Sequence, residues 1–136
     1  MSLLLDTHVL IWLAEGLPEL SEAAQQMIDE MAATHGVAVS AISFWEIAML
    51  HAKGRLSLSR PIRDWHAMVA AVRGLSEIAV SAEIAIEAGS LPGPFHGDPA
   101  DRLIVATART RGWPLMTRDA RILAYGEAGH ARVAAV

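Results

Sequence analysis

The chain has 136 residues, 53% hydrophobic and 19% charged, enough apolar material to fill one core and too much for a disordered segment, so a single domain spanning 1–136 is expected. The absence of cysteine excludes a disulfide framework, a thiolate nucleophile and cysteine-bound zinc, and no apolar run approaches the roughly eighteen residues of a membrane span, so a cytoplasmic protein without a signal peptide is expected. Fifteen acidic against eleven basic residues give a net charge of −4, which taken alone argues against a nucleic-acid binder.

In chain order, Leu3 to Leu5 is an apolar run too short for a buried helix and ends in Asp6, the pattern of a central buried strand. Thr7 to Glu15 has helical composition and stops at Gly16. Ser21 reads as the N-cap of a helix to Ala33, with Ala24, Met27, Ile28 and Met31 on one face. Val37 to Val39 is a second strand. Ser43 and Glu46 have capping-box spacing and are expected to open a helix that runs to Ala52. Pro61 starts another, in which Ile62, Trp65, Met68, Val69 and Val72 recur at helical spacing up to Gly74.

Ile78 to Val80 is the third strand candidate, followed by a short helix from Ser81 to Gly89 and a loop at Pro92-Gly93-Pro94. Asp98-Pro99 opens a helix that ends at Gly112. Pro114 to Thr117 is a fourth strand, Arg118 to Tyr125 further helical turns, and Arg132 to Val136 a terminal strand. Short apolar strands alternating with helices predict an α/β fold with a central parallel sheet of four to five strands, flanked by helices.

Ligands of an open parallel sheet bind beyond the carboxyl ends of its strands, and the acids fall there. Asp6 follows the first strand, Glu46 the second, and Asp119 the fourth, while Asp98 and Asp101 share the first turn of one helix. Each also has a plain structural reading: Glu46 as half of a capping box, Asp98 and Asp119 as N-caps, Asp101 as a complement to the helix dipole. Jointly, carboxylates converging on one edge repel unless protonated or neutralised by a cation. Oxygen donors without cysteine or a paired-histidine motif point to Mg²⁺ or Mn²⁺, ions that work on phosphates. Setting those five aside leaves ten of the fifteen acids against eleven basic residues, so the rest of the surface is not acidic. Ten of the basic residues are arginines, and Arg102, Arg118 and Arg121 lie beside the acids in sequence, where their planar forks suit phosphate.

Of six histidines, His96 is the candidate for contact with substrate or Asp98; the others have no ligand spacing and read as ordinary surface or core residues. Trp12 and Trp45, set in apolar helices, read as core.

Leu4-Leu5-Asp6-Thr7-His8, Ser43-Phe44-Trp45-Glu46, His96-Gly97-Asp98-Pro99-Ala100-Asp101-Arg102 and Thr117-Arg118-Asp119, in this order, resemble the PIN-domain ribonucleases, and within them the VapC-like toxin subunits of toxin–antitoxin pairs. The resemblance runs from residue 3 to about 125. It implies a parallel sheet flanked by helices and an acidic pocket that holds Mg²⁺ or Mn²⁺ and cleaves RNA. Asp6, Glu46, Asp101 and Asp119 carry over as the pocket acids, with Asp6 and Asp101 the most direct ligands and Asp98 a further candidate. Thr7 and Thr117 would support the ligands, and His96, Arg102 and Arg118 would touch substrate. The resemblance also implies a homodimer and a small antitoxin whose carboxyl-terminal segment lies over the pocket. Alternatives are a PIN nuclease that processes RNA without an antitoxin, a catalytically silent PIN-like module and a receiver-like domain. The receiver pattern pairs two acids after the first strand, where Asp6 stands alone. A haloacid-dehalogenase-like phosphatase would need a second acid where His8 stands.

Overall fold

In the computed structural model, which describes residues 1–136, the chain alternates strands with helices. The elements run β1 (Leu3–Leu5), α1 (Thr7–Glu15), α2 (Glu22–Thr34), β2 (Val37–Ser40), α3 (Ala41–Ala52), α4 (Ile62–Ala70) and β3 (Leu75–Ile78). They continue with α5 (Ala82–Gly89), α6 (Pro99–Arg111), β4 (Leu115–Thr117), α7 (Ala120–Glu127) and β5 (Val133–Ala135). The five strands form one parallel sheet in the order β3-β2-β1-β4-β5, with Leu4 opposite both Ala38 and Leu115. Both faces of the sheet are covered, which is why the central strands are apolar without a break rather than alternating.

The pleat divides the core into two layers. Leu3, Leu5, Val37, Val39 and Met116 point to one side and pack with Val9, Leu10 and Ile11 of α1, Ile28 of α2 and Trp65 and Val69 of α4. Leu4, Ala38 and Leu115 point to the other, against Ile84, Ile104, Val105, Ile122 and Tyr125 of α5, α6 and α7. Small Ala106 and Ala108, both buried, let α6 lie close to the sheet. Gly16 and Gly112 end α1 and α6 with φ of 63° and 68°, the left-handed cap that residues with a Cβ rarely adopt. No helix is long and apolar enough to cross a membrane.

Three local expectations change. The third strand lies at Leu75–Ile78, not Ile78 to Val80; it is a sheet edge with Ser76 and Glu77 exposed, so it lacks the continuous apolar run of a central strand. Helix α3 begins at Ala41, capped by the Ser40 hydroxyl on Ile42 N–H at 3.2 Å, so Ser43 and Glu46 do not form a capping box. Ser43 is instead buried inside the helix and shares a 2.9 Å hydrogen bond with the Thr7 hydroxyl. Trp45 is 53% exposed rather than core, because Ile47 and Ser43 take the inward face of α3.

Candidate active site

The chain leaves the central strand β1 toward β2 on one side and later returns to place β4 on the other, so the carboxyl ends of β1 and β4 border a crevice where the connections diverge. Asp6 opens this crevice as the N-cap of α1. Its Oδ1 accepts from Thr7 N–H at 2.8 Å and its Oδ2 from the Thr117 hydroxyl at the end of β4 at 2.7 Å. Burial pushes the Asp6 carboxyl above its ordinary range, against the pull of those two donors. Thr7 therefore supports Asp6 through its backbone, while its hydroxyl is engaged with Ser43.

Glu46 sits in the second turn of α3, and its Oε1 is buried with no hydrogen-bond partner. Its carboxyl is also raised, by burial and the nearby Asp6 charge, with the Thr7 hydroxyl opposing. Asp98 caps α6 by accepting Asp101 N–H at 3.0 Å. Asp101, one turn in, is the most perturbed of the set: burial, with the charges of Asp98, Asp6, Asp119 and Glu46, pushes it up to about 7. His96 stands against it, Nε2 to Oδ2 at 3.2 Å, without the alignment of a hydrogen bond. Because His96 Nδ1 accepts from Asp98 N–H at 3.3 Å, the neutral ring carries its hydrogen on Nε2, toward Asp101.

Asp119 behaves differently. Burial raises it, but N–H groups of Ile122 and Arg121 at the start of α7, together with the Arg121 guanidinium, outweigh that and hold it below the usual range. The Thr117 hydroxyl also accepts Asp119 N–H at 3.0 Å, so one threonine ties Asp6 and Asp119 together. Arg121 bridges two acids, 3.4 Å from Asp119 and 3.8 Å from Asp101. Arg118 lies over the Trp12 ring, 4.4 Å from its centroid, and donates to the Glu19 carbonyl.

Asp6, Glu46, Asp98, Asp101 and Asp119 thus border one cleft of about 310 Å³, with His8, Trp12, Arg118 and Arg121 on its walls. Arg102 is not among them. A step of one residue along a helix turns 100°, and its guanidinium donates to the carbonyls of Ala88, Phe95 and His96, strapping down the segment before α6. His8, expected as an ordinary surface or core residue, and Trp12, expected as core, both line the cleft instead. The signal available was their spacing of four residues, which puts both on one face of the helix that Asp6 caps.

A hard divalent cation fits this donor set: all the acids offer oxygen, their crowding already favours protonation of Asp101, and Glu46 Oε1 is a buried acceptor with nothing to accept. No three of these side chains converge into a cage for one ion; Mg²⁺ is commonly held by one or two carboxylates with water completing its shell.

Comparison with known proteins adds the family. A model of the PIN domain matches residues 3–128. Ribonuclease VapC22 of Mycobacterium tuberculosis is 39% identical over 121 residues, covering 89% of each chain. Among solved structures, VapBC2 from Rickettsia felis bound to a promoter DNA fragment aligns with TM-score 0.72 at 16% identity, over 99% of this chain and 98% of that one. DNA-bound VapBC from Salmonella typhimurium aligns with TM-score 0.68 at 18% identity and the same coverage.

Proposed function

Since the chain belongs to the PIN-domain family, we propose that it is a single-domain, Mg²⁺- or Mn²⁺-dependent endoribonuclease, the toxin of a VapBC-type toxin–antitoxin pair. The observation that carries this reading is the meeting of Asp6, Glu46, Asp101 and Asp119, from the ends of β1 and β4 and the helices α3 and α6, at one cleft. The 39% identity to a ribonuclease supports RNA as substrate, and the toxin–antitoxin structures with the same fold support an antitoxin partner.

Asp6 and Asp101 would hold the cation most directly, joined by Glu46 and Asp119, with Asp98 alongside. When bound, the ion would supply a more acidic water and offset charge on the phosphate under attack as the ribose oxygen leaves. The protein's own contribution is placement. Thr117 fixes both Asp6 and Asp119. Arg121, held at the rim by two acids that a cation would claim, is then free to meet a phosphate oxygen, and Arg118 borders the opposite approach. In the paired state, the antitoxin's carboxyl-terminal segment covers this cleft, and the toxin acts as a homodimer in the cytoplasm.

The test is cleavage of a mixed RNA pool by antitoxin-free protein with Mg²⁺, Mn²⁺ or EDTA, with Asp6→Asn in parallel. Discrete cuts that disappear with EDTA and in the variant are expected. Equal cutting by Asp6→Asn, or none by folded wild-type protein with metal, would overturn the reading.

A further inference from the structure

Beside the acid cleft, and sharing Arg121 with it, lies a second groove of about 520 Å³ between the 94–96 segment and α7. Its wall is a row of rings that begins beside the acid cleft, at His96 against Asp101. His96, 3.2 Å from Asp101, lies 4.4 Å between centroids from Phe95; Phe95 lies 4.8 Å from Tyr125; Tyr125 lies 4.7 Å from His130. Tyr125 is almost fully buried and its hydroxyl donates to the Pro92 carbonyl, so it forms the floor. Phe95, His96 and His130 remain partly open to the groove. The row is held from behind, since Arg102 donates to the carbonyls of Phe95 and His96, and Arg109 to that of His130. Tyr125 and the inner side of Phe95 fill the core, but core filling does not explain the sides of Phe95, His96 and His130 left open to the groove, at a row whose inner end contacts an acid of the cleft.

We infer that this groove receives the base of a nucleotide adjoining the scissile phosphate, stacked on the Phe95–His130 row, with Arg121 on the phosphate between base and acids. The inference rests on the nuclease reading above and adds to it a subsite that selects the strand. Single-stranded RNA is recognised where splayed bases stack on aromatic rings while arginine follows the backbone, and the groove offers rings together with Arg121, which also borders the acid cleft. The apolar walls and the ring faces favour an unpaired base over a duplex, whose bases are already stacked.

The experiment uses the full chain and a short oligoribonucleotide spanning a mapped cut. First, 2-aminopurine is walked through the positions around the cut, with Mg²⁺ present and a non-hydrolysable methylene phosphonate at the cut so that the strand stays intact. Binding quenches the probe at one position next to the cut in wild-type protein, and the quench disappears in Phe95→Leu and weakens in His130→Ala. Second, an abasic nucleotide at that position raises KM about tenfold in wild-type protein, the order of one lost stack, but adds little in Phe95→Leu, with kcat nearly unchanged. Circular dichroism establishes that both variants fold; if Phe95→Leu does not, His130→Ala carries the comparison alone. RNA that is bound and cut with no position quenched, or an abasic penalty undiminished in the folded variants, overturns the subsite and leaves the nuclease standing. Wild-type protein that neither binds nor cuts RNA overturns both.

Discussion

Helix α1 borders two depressions of opposite character. Its Leu10, Leu13 and Ala14 line a groove of about 400 Å³ shared with α2 and α4, in which ten of twelve bordering residues are hydrophobic. Its His8 and Trp12 face the acid cleft, where one of nine is. The apolar side is where removing atoms from contact with water stabilises the fold. The acid side does the reverse: Asp6, Glu46 and Asp101 are all held above their ordinary range, so the folded chain resists the charge that the site requires. One helix therefore joins a region that maintains the fold to a region that opposes it.

That contrast makes stability and activity separable. The largest effect is expected from Trp65→Ala on the apolar side: the indole is fully buried, and its loss should cost about 3–5 kcal/mol in denaturant unfolding while the molecules still folded cut RNA normally. Asp6→Asn should do the opposite, lowering cleavage by about a hundredfold or more with no loss of stability near neutral pH. If its unfolding midpoint fell as far as that of Trp65→Ala, the two sides would not be distinct.

The third prediction sharpens the comparison through pH. Asp101 is pushed from its ordinary value of 3.8 up to about 7 in the folded chain, so between these the folded chain keeps a proton that the unfolded chain has lost. Its contribution to stability is complete below about pH 4 and is lost as pH rises through about 7. In EDTA the melting temperature should fall over this window, and Asp101→Asn should flatten the fall; a slope unchanged in the variant would count against the assignment. The smallest effect belongs to Thr117→Val, which removes the donor to Asp6 and the acceptor for Asp119 N–H. It should weaken Mn²⁺ binding about tenfold by titration, the usual scale for residues that orient ligands.

The parts of the molecule legible in sequence are those where local pattern and tertiary role coincide. Leu3 to Leu5 ending in Asp6 reads as a central strand delivering a carboxylate because both faces of β1 are buried and the strand ends at the crevice. Ser21, Asp98 and Asp119 read as caps and are caps. What was not legible depends on neighbours distant in sequence. Ser43 has the spacing of a capping residue, yet its hydroxyl is claimed by Thr7, 36 positions away. Arg102 adjoins Asp101, but carbonyls on the segment before α6 draw its guanidinium away from the cleft. β3 is half exposed because it is an edge, which only the strand order reveals.

The hydrogen bond from Thr117 to Asp6 joins positions 111 apart. During synthesis, Asp6 leaves the ribosome long before its partner exists, and at about 5–20 residues per second the interval lasts several seconds. Asp101 is absent for most of that interval and Asp119 for all of it, and β4 cannot pair with β1 until Leu115–Thr117 has been made. A polysome therefore carries growing chains in which the acid cleft has not yet been assembled, because Thr117 has still to be made.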